Sequence, residues 1–140
     1  GTPFTEKVQL TKDAIDVGLT HAQGHLDFVS SIPRQSDPRT AAALHDCVKL
    51  FGDAIHSFRN ALKTLNQLSS PGSPYFREQM LNANLDLGAA GTNAETCKEC
   101  FEFARDGRLK TEVSKRVEDI SRDTNNALTL LEKIGEGAAP

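Results

Sequence analysis

Between Ala41 and Leu68, seven apolar residues (Leu44, Val48, Phe51, Ile55, Phe58, Leu62 and Leu65) recur at alternating steps of four and three. A period of about 3.5 residues is that of a helix face, whereas the side chains of a strand alternate every second residue. Asp46, Lys49, Asp53, Arg59, Asn60 and Lys63 fill the polar positions between. A helix of about 28 residues is about 40 Å long at 1.5 Å per residue, more than twice the globular mean. Such a rod buries its seam only if the rest of the chain runs beside it. Leu50, Ala54 and Ala61 widen the seam, which suits a helix with two neighbours better than a coiled coil.

The remaining segments carry the same rhythm. Val8, Ile15, Leu19, Ala22, Leu26 and Val29 define a first helix, interrupted near Thr11 and Lys12 and closed by Ile32-Pro33. Gly18 and Gly24 each cost it about 1 kcal/mol relative to Ala, so its partners must hold it. Ser36 or Asp37 caps the second helix, with Pro38 at its first position. Pro71, Gly72 and Pro74 then force a reversal. Phe76, Met80, Ala83, Leu87, Ala90, Ala94, Cys97, Phe101 and Ala104 mark a third helix that Asp106-Gly107 ends. Its small residues predict close approach to its neighbours, and Gly88 and Gly91 mark a bend or a nearby backbone. Thr111 and Ser114 open a fourth, with Val113, Val117, Ile120, Thr124, Ala127, Leu131 and Ile134 as its seam; Gly135 and Gly137 supply a stop, and residues 136–140 are expected to fray. The pattern predicts one all-α domain over residues 1–140, an antiparallel up-down-up-down four-helix bundle with helices near 5–31, 38–68, 75–105 and 111–134. No residue pattern beyond the apolar rhythm is shared between segments, which argues against a helical repeat.

Register selects a cross-link. Cys47 lies about 24 residues before Pro71 and Cys97 about 26 after it, so in an antiparallel hairpin the two are level to within about 3 Å. Cys100 is one turn further along and about 7 to 8 Å out of register by the same rise. A Cys47–Cys97 disulfide follows, with Cys100 left as a free thiol, and with it an oxidising compartment.

Other chemistry finds little support. Net charge is −3, from 16 basic and 19 acidic side chains, without the basic excess that nucleic acid demands. No apolar run is long enough to cross a membrane. The opening Gly1-Thr2-Pro3 has no initiator methionine, which points to residues removed upstream. Cys97 and Cys100 form a CxxC, but redox sites of that form follow a strand, and haem attachment needs a His where Phe101 stands. His21 and His25 are spaced to face a metal from one helix, yet spacing marks no third ligand, so no metal is assigned; His45 and His56 likewise stay unassigned. Glycine-rich phosphate loops, nucleophile elbows and the Glu-x-x-His repeats of di-iron bundles are missing, so neither catalysis nor a cofactor is expected. Arg105, Arg108, Lys110, Lys115 and Arg116 surround the third turn and read as a solvated loop.

Three short segments nonetheless coincide in order and placement: Ala43-Leu44-His45-Asp46-Cys47 on the second helix, Gly88-Ala89-Ala90-Gly91-Thr92 leading to Thr96-Cys97 on the third, and Asn126-Ala127-Leu128 on the fourth. In these the chain resembles the plant invertase and pectin methylesterase inhibitor family over about Thr5 to Ile134. Phe51 departs from the family's usual Tyr, and Gly88 and Gly91 replace a Ser and a Leu. The family's N-terminal helical hairpin, with two further cysteines, would precede this sequence.

The resemblance implies a disulfide-linked four-helix bundle whose second disulfide falls on Cys47 and Cys97. It implies a secreted inhibitor of the cell wall space whose protein partner is a pectin methylesterase, engaged as a monomer in a one-to-one complex. The family places the contact on helices two and three, and Thr92 is the motif residue carried to it. Invertase inhibition is the alternative, although the Pro-Lys-Phe element of invertase inhibitors is missing. A non-inhibitory helical pro-region ahead of a catalytic domain is the other.

Overall fold

The computed structural model describes residues 2–138. Four helices fill it: α1 (Pro3–Ser31), α2 (Pro38–Asn66), α3 (Phe76–Cys100) and α4 (Arg108–Ala138). No strand occurs among the described residues. Each helix packs on the one before and after it, and α1 closes the ring against α4. Short connections make the neighbours antiparallel, giving the up-down-up-down bundle the periodicities imply.

Local chemistry sets the helix ends. Thr2 is extended, and its hydroxyl accepts from the Thr5 amide at 3.1 Å while Pro3 opens the first turn, so α1 begins two residues before the expected start at residue 5. Asp37 caps α2, accepting from the Thr40 amide at 3.2 Å and the Thr40 hydroxyl at 2.6 Å. The Thr40 hydroxyl holds the Asp37 carboxyl below its ordinary value. α2 stops at Asn66, short of Leu68, because Gln79 pins the reversal: its side-chain amide donates to the Gln67 carbonyl at 3.1 Å and accepts from the Ser69 amide at 2.8 Å.

α3 ends at Cys100, short of the expected 105. Phe101 and Ala104 still enter the core, but in turns whose carbonyls are taken from outside. Lys110 Nζ donates to Glu102 O at 3.0 Å and Ala104 O at 3.3 Å. Gly107 (φ +155°) then turns the chain in a region that favours glycine. α4 starts at Arg108, ahead of Thr111, and continues through Gly135 and Gly137 to Ala138. Neither glycine stops it, and residues 136–138 are helical; residues 139–140 of the expected frayed end lie outside the described region.

The core is centred on Phe51 and Phe58 of α2, both fully buried with Ile15, Leu87 and Ile120. Burying a Phe side chain contributes about 3 kcal/mol. The buried stripe of α2 runs Leu44, Cys47, Phe51, Ala54, Phe58, Ala61, Leu65, with Val48 and Leu62 half-buried on its flank, because two neighbours share the helix.

On α1 the apparent interruption is part of the seam. Thr11 is fully buried and returns its hydroxyl to the Lys7 carbonyl at 2.8 Å. Gly18 is buried where α1, α2 and α4 meet: a Cβ there would stand 3.0 Å from the Phe58 ring and 3.3 Å from Asp123 Cβ. Its lost helix propensity therefore permits a close three-helix contact.

Candidate functional site

The disulfide fixes the α2–α3 hairpin. Cys47 and Cys97 are bonded, with Cα atoms 4.8 Å apart, and both are fully buried. Cys100, one turn on, is free and half-buried. Burial, helped by Asp46 and Glu99, pushes its thiol above the ordinary cysteine value, which makes it a poor nucleophile.

With its buried side committed to Ala83, Leu87, Ala90, Ala94 and Cys97, α3 presents a narrow outward strip. At about 100° per residue, Leu81, Leu85, Gly88, Thr92, Thr96 and Glu99 share one face. Its first half is apolar, with Leu81 55% and Leu85 60% exposed. Its second half is small and polar: Thr92 is exposed, and the Thr96 hydroxyl donates to the Thr92 carbonyl at 2.9 Å. Thr92 borders a shallow groove whose opposite rim is α4, with Glu95 accepting from the Ser121 hydroxyl at 2.7 Å and Asn125 beyond it. The surface around Thr92 is therefore shared with α4 rather than α2.

The two glycines of this segment have different roles. A Cβ at Gly91 would lie 3.3 Å from Thr124 Cγ2, so α3 and α4 are in close contact there. At Gly88 a Cβ would meet nothing within 4 Å. The family's Ser would fit at Gly88, whereas its Leu at Gly91 would press against Thr124 of α4. Neither glycine interrupts α3, which is one continuous helix.

A second polar cluster joins α1 to α4, and spacing within either helix does not show that its two halves meet. His21 Nδ1 lies 2.8 Å from Asp123 Oδ2 and 3.7 Å from Asp119 Oδ2, and His25 Nε2 lies 2.6 Å from Asp119 Oδ2. The hydrogen bond to Asp123 raises the His21 pKa above its ordinary 6.5, against a smaller opposing effect of burial. Arg116 is no part of a solvated loop: its guanidinium lies 3.5 Å from the Phe28 ring centroid and donates to His25 Nδ1 at 3.0 Å. Lys110, also from that basic run, caps the turn after α3. The ligand atoms of His21, Asp119 and Asp123 all lie within 4.8 Å of one another. A signal for the cluster existed in Asp119 and Asp123, four apart beside the α4 seam, but their partners are about a hundred residues away in sequence.

A family model described as plant invertase/pectin methylesterase inhibitor matches residues 2–130. The chain belongs to that family. It is 32% identical to Pectinesterase inhibitor 3 of Arabidopsis thaliana over 142 residues, covering 97% of this chain and 68% of that protein. It is also 32% identical to Pectinesterase inhibitor 11 of the same plant, covering 91% of this chain and 65% of that one. A Daucus carota relative called 21 kDa protein is 29% identical, with 88% and 65% covered. The chain thus spans about two thirds of these relatives. The crystal structure of a pectin methylesterase inhibitor from Arabidopsis thaliana superposes with a TM-score of 0.74 at 22% identity, over 90% of this chain and 76% of that one, a likeness of fold. The family is one of inhibitors, as the names of the two Arabidopsis relatives state, and the resemblance carried by the Cys47, Thr92–Cys97 and Asn126 segments extends over nearly the whole sequence.

Proposed function

We propose that this protein binds pectin methylesterase and blocks its substrate cleft with the outward face of α3 and the adjoining rim of α4. The observation that carries the reading is the strip Leu81, Leu85, Gly88, Thr92: an exposed apolar step running into small residues on a helix held by a buried disulfide. Small side chains let a partner backbone approach closely, and exposed leucines supply apolar area to bury against it. The protein acts as a monomer in a one-to-one complex and needs no catalytic group. Its disulfide fits an oxidising, extracellular setting, the plant cell wall where pectin lies. Among the described residues no helix is long and apolar enough to cross a membrane.

The test adds the purified protein to a pectin methylesterase and, in parallel, to an acid invertase. The esterase is expected to be titrated to a one-to-one endpoint while the invertase keeps its activity. Thr92→Arg and Leu85→Arg, both exposed, should weaken inhibition at least about tenfold, the effect of losing about 1.4 kcal/mol of contact. Full esterase activity at micromolar protein would overturn the reading. Loss of invertase activity alone would move the target to that enzyme.

A further inference from the structure

We propose that His21, Asp119 and Asp123 form a binding site for a divalent transition-metal cation of the zinc or nickel kind, clamping α1 to α4. The site is independent of the α3 surface.

Three donors converge from two helices. Asp119 and Asp123, four apart on α4, project side by side, and His21 faces them from α1. Ligand atoms about 2.0–2.1 Å from a tetrahedral ion stand about 3.4 Å from one another. The two spacings from His21 Nδ1, 2.8 Å to Asp123 and 3.7 Å to Asp119, bracket that value, and the whole set fits within 4.8 Å. Small side-chain rotations close it on a cation.

The depth of Asp123 points the same way. It is 8% exposed, and His21 is its hydrogen-bonding side-chain partner. A carboxylate so deep is held by a counter-charge or a metal. A dication would balance the two carboxylates with His21 neutral.

Asp119 is aimed from behind. A guanidinium can only donate, so His25 Nδ1 accepts from Arg116 and the ring proton sits on Nε2, which donates to Asp119 Oδ2 at 2.6 Å. Arg122 holds the other oxygen, Oδ1, at 3.2 Å. His25 is thus a positioning residue, the role imidazole and carboxylate partners commonly play behind a metal ligand.

His21 is half-exposed, 47% by side chain, which gives a cation an entry route and leaves it a position for water. One imidazole nitrogen with two carboxylates suits zinc, nickel or copper, whereas calcium and magnesium require six or more oxygens, mostly from protein or water.

Calorimetric titration of the chelator-stripped protein with zinc chloride tests the site. We expect one ion per chain. His21→Ala and Asp123→Asn should each lower affinity at least about tenfold, and His25→Gln by about 10 to 100-fold through Asp119 alone. A variant lacking both other histidines, His45→Gln with His56→Gln on α2, keeps full affinity. Cobalt(II) substituted for zinc should give a visible d–d spectrum in the wild type that His21→Ala loses. Because His21 is half-exposed, its alanine variant decides the matter even if Asp123→Asn fails to fold. Zinc affinity unchanged in His21→Ala, affinity lost with His45 and His56, or equal competition by magnesium would each overturn the proposal.

Discussion

Reducing the Cys47–Cys97 bond is expected to cost this fold about a third of a typical domain's stability. The bond closes a loop of 50 residues between α2 and α3. In the chain-entropy model a loop of that length removes about 14 cal/mol/K from the unfolded chain, or about 4 kcal/mol at 25 °C. For a chain of this size, about 3 to 4 °C of melting temperature accompany each kcal/mol, so the transition should fall by about 14 °C. The folded state should change little, because both sulfurs are fully buried and reduced cysteines pack there as small apolar residues. A Cys100→Ala background prevents reshuffling through the free thiol. Guanidinium unfolding and calorimetry of that variant, with and without a phosphine reductant, give the difference directly. A loss below about 1 kcal/mol would refute the reasoning, for it would mean that the unfolded chain already keeps the two segments together.

The helix glycines should respond in opposite directions. Gly88→Ala is expected to gain about 0.5–1 kcal/mol, since its side chain enters open space, whereas Gly18→Ala should lose stability by driving a Cβ to 3.0 Å from the Phe58 ring; urea midpoints measure both. His21 binds its proton more tightly when folded, so its contribution is complete below the ordinary 6.5 and is lost as pH rises through the raised value. Melting temperatures across pH 5–9 in a chelating buffer should show that decline, and His21→Gln should flatten it. Cys100, with its thiol pushed up by burial, should react with iodoacetamide more slowly at pH 7.5 than glutathione does, as timed mass spectra will read.

The parts of the bundle that follow from apolar period were legible. Of the nine seam residues expected for the third helix, eight are buried and Met80 is half-buried, although Phe101 and Ala104 lie beyond the end of α3, and the hairpin register placed Cys47 opposite Cys97. α1 was harder to read because three of its seven inward positions are not apolar. The stripe Val8, Thr11, Ile15, Gly18, Ala22, His25, Val29 is regular, but Thr11, Gly18 and His25 serve it by hydrogen bonding, close approach and pairing with Asp119 rather than by apolar bulk. The end of α3 was misplaced because Phe101 and Ala104 continue the seam in turns, capped by a lysine from the next helix. The choice of Thr92 rests on resemblance alone, since nothing in its own spacing distinguishes an exposed threonine. The His21 cluster needed the α1–α4 contact, which no local pattern encodes.

A helix cross-linked close to its docking face cannot bow or slide to meet whatever lands on it. Cys97 sits five residues, less than two turns, from Thr92, so the strip proposed to receive a partner is held in one shape before contact. Little ordering entropy then opposes association, and the lifetime of the complex is governed by how well the two surfaces fit rather than by how readily this one rearranges.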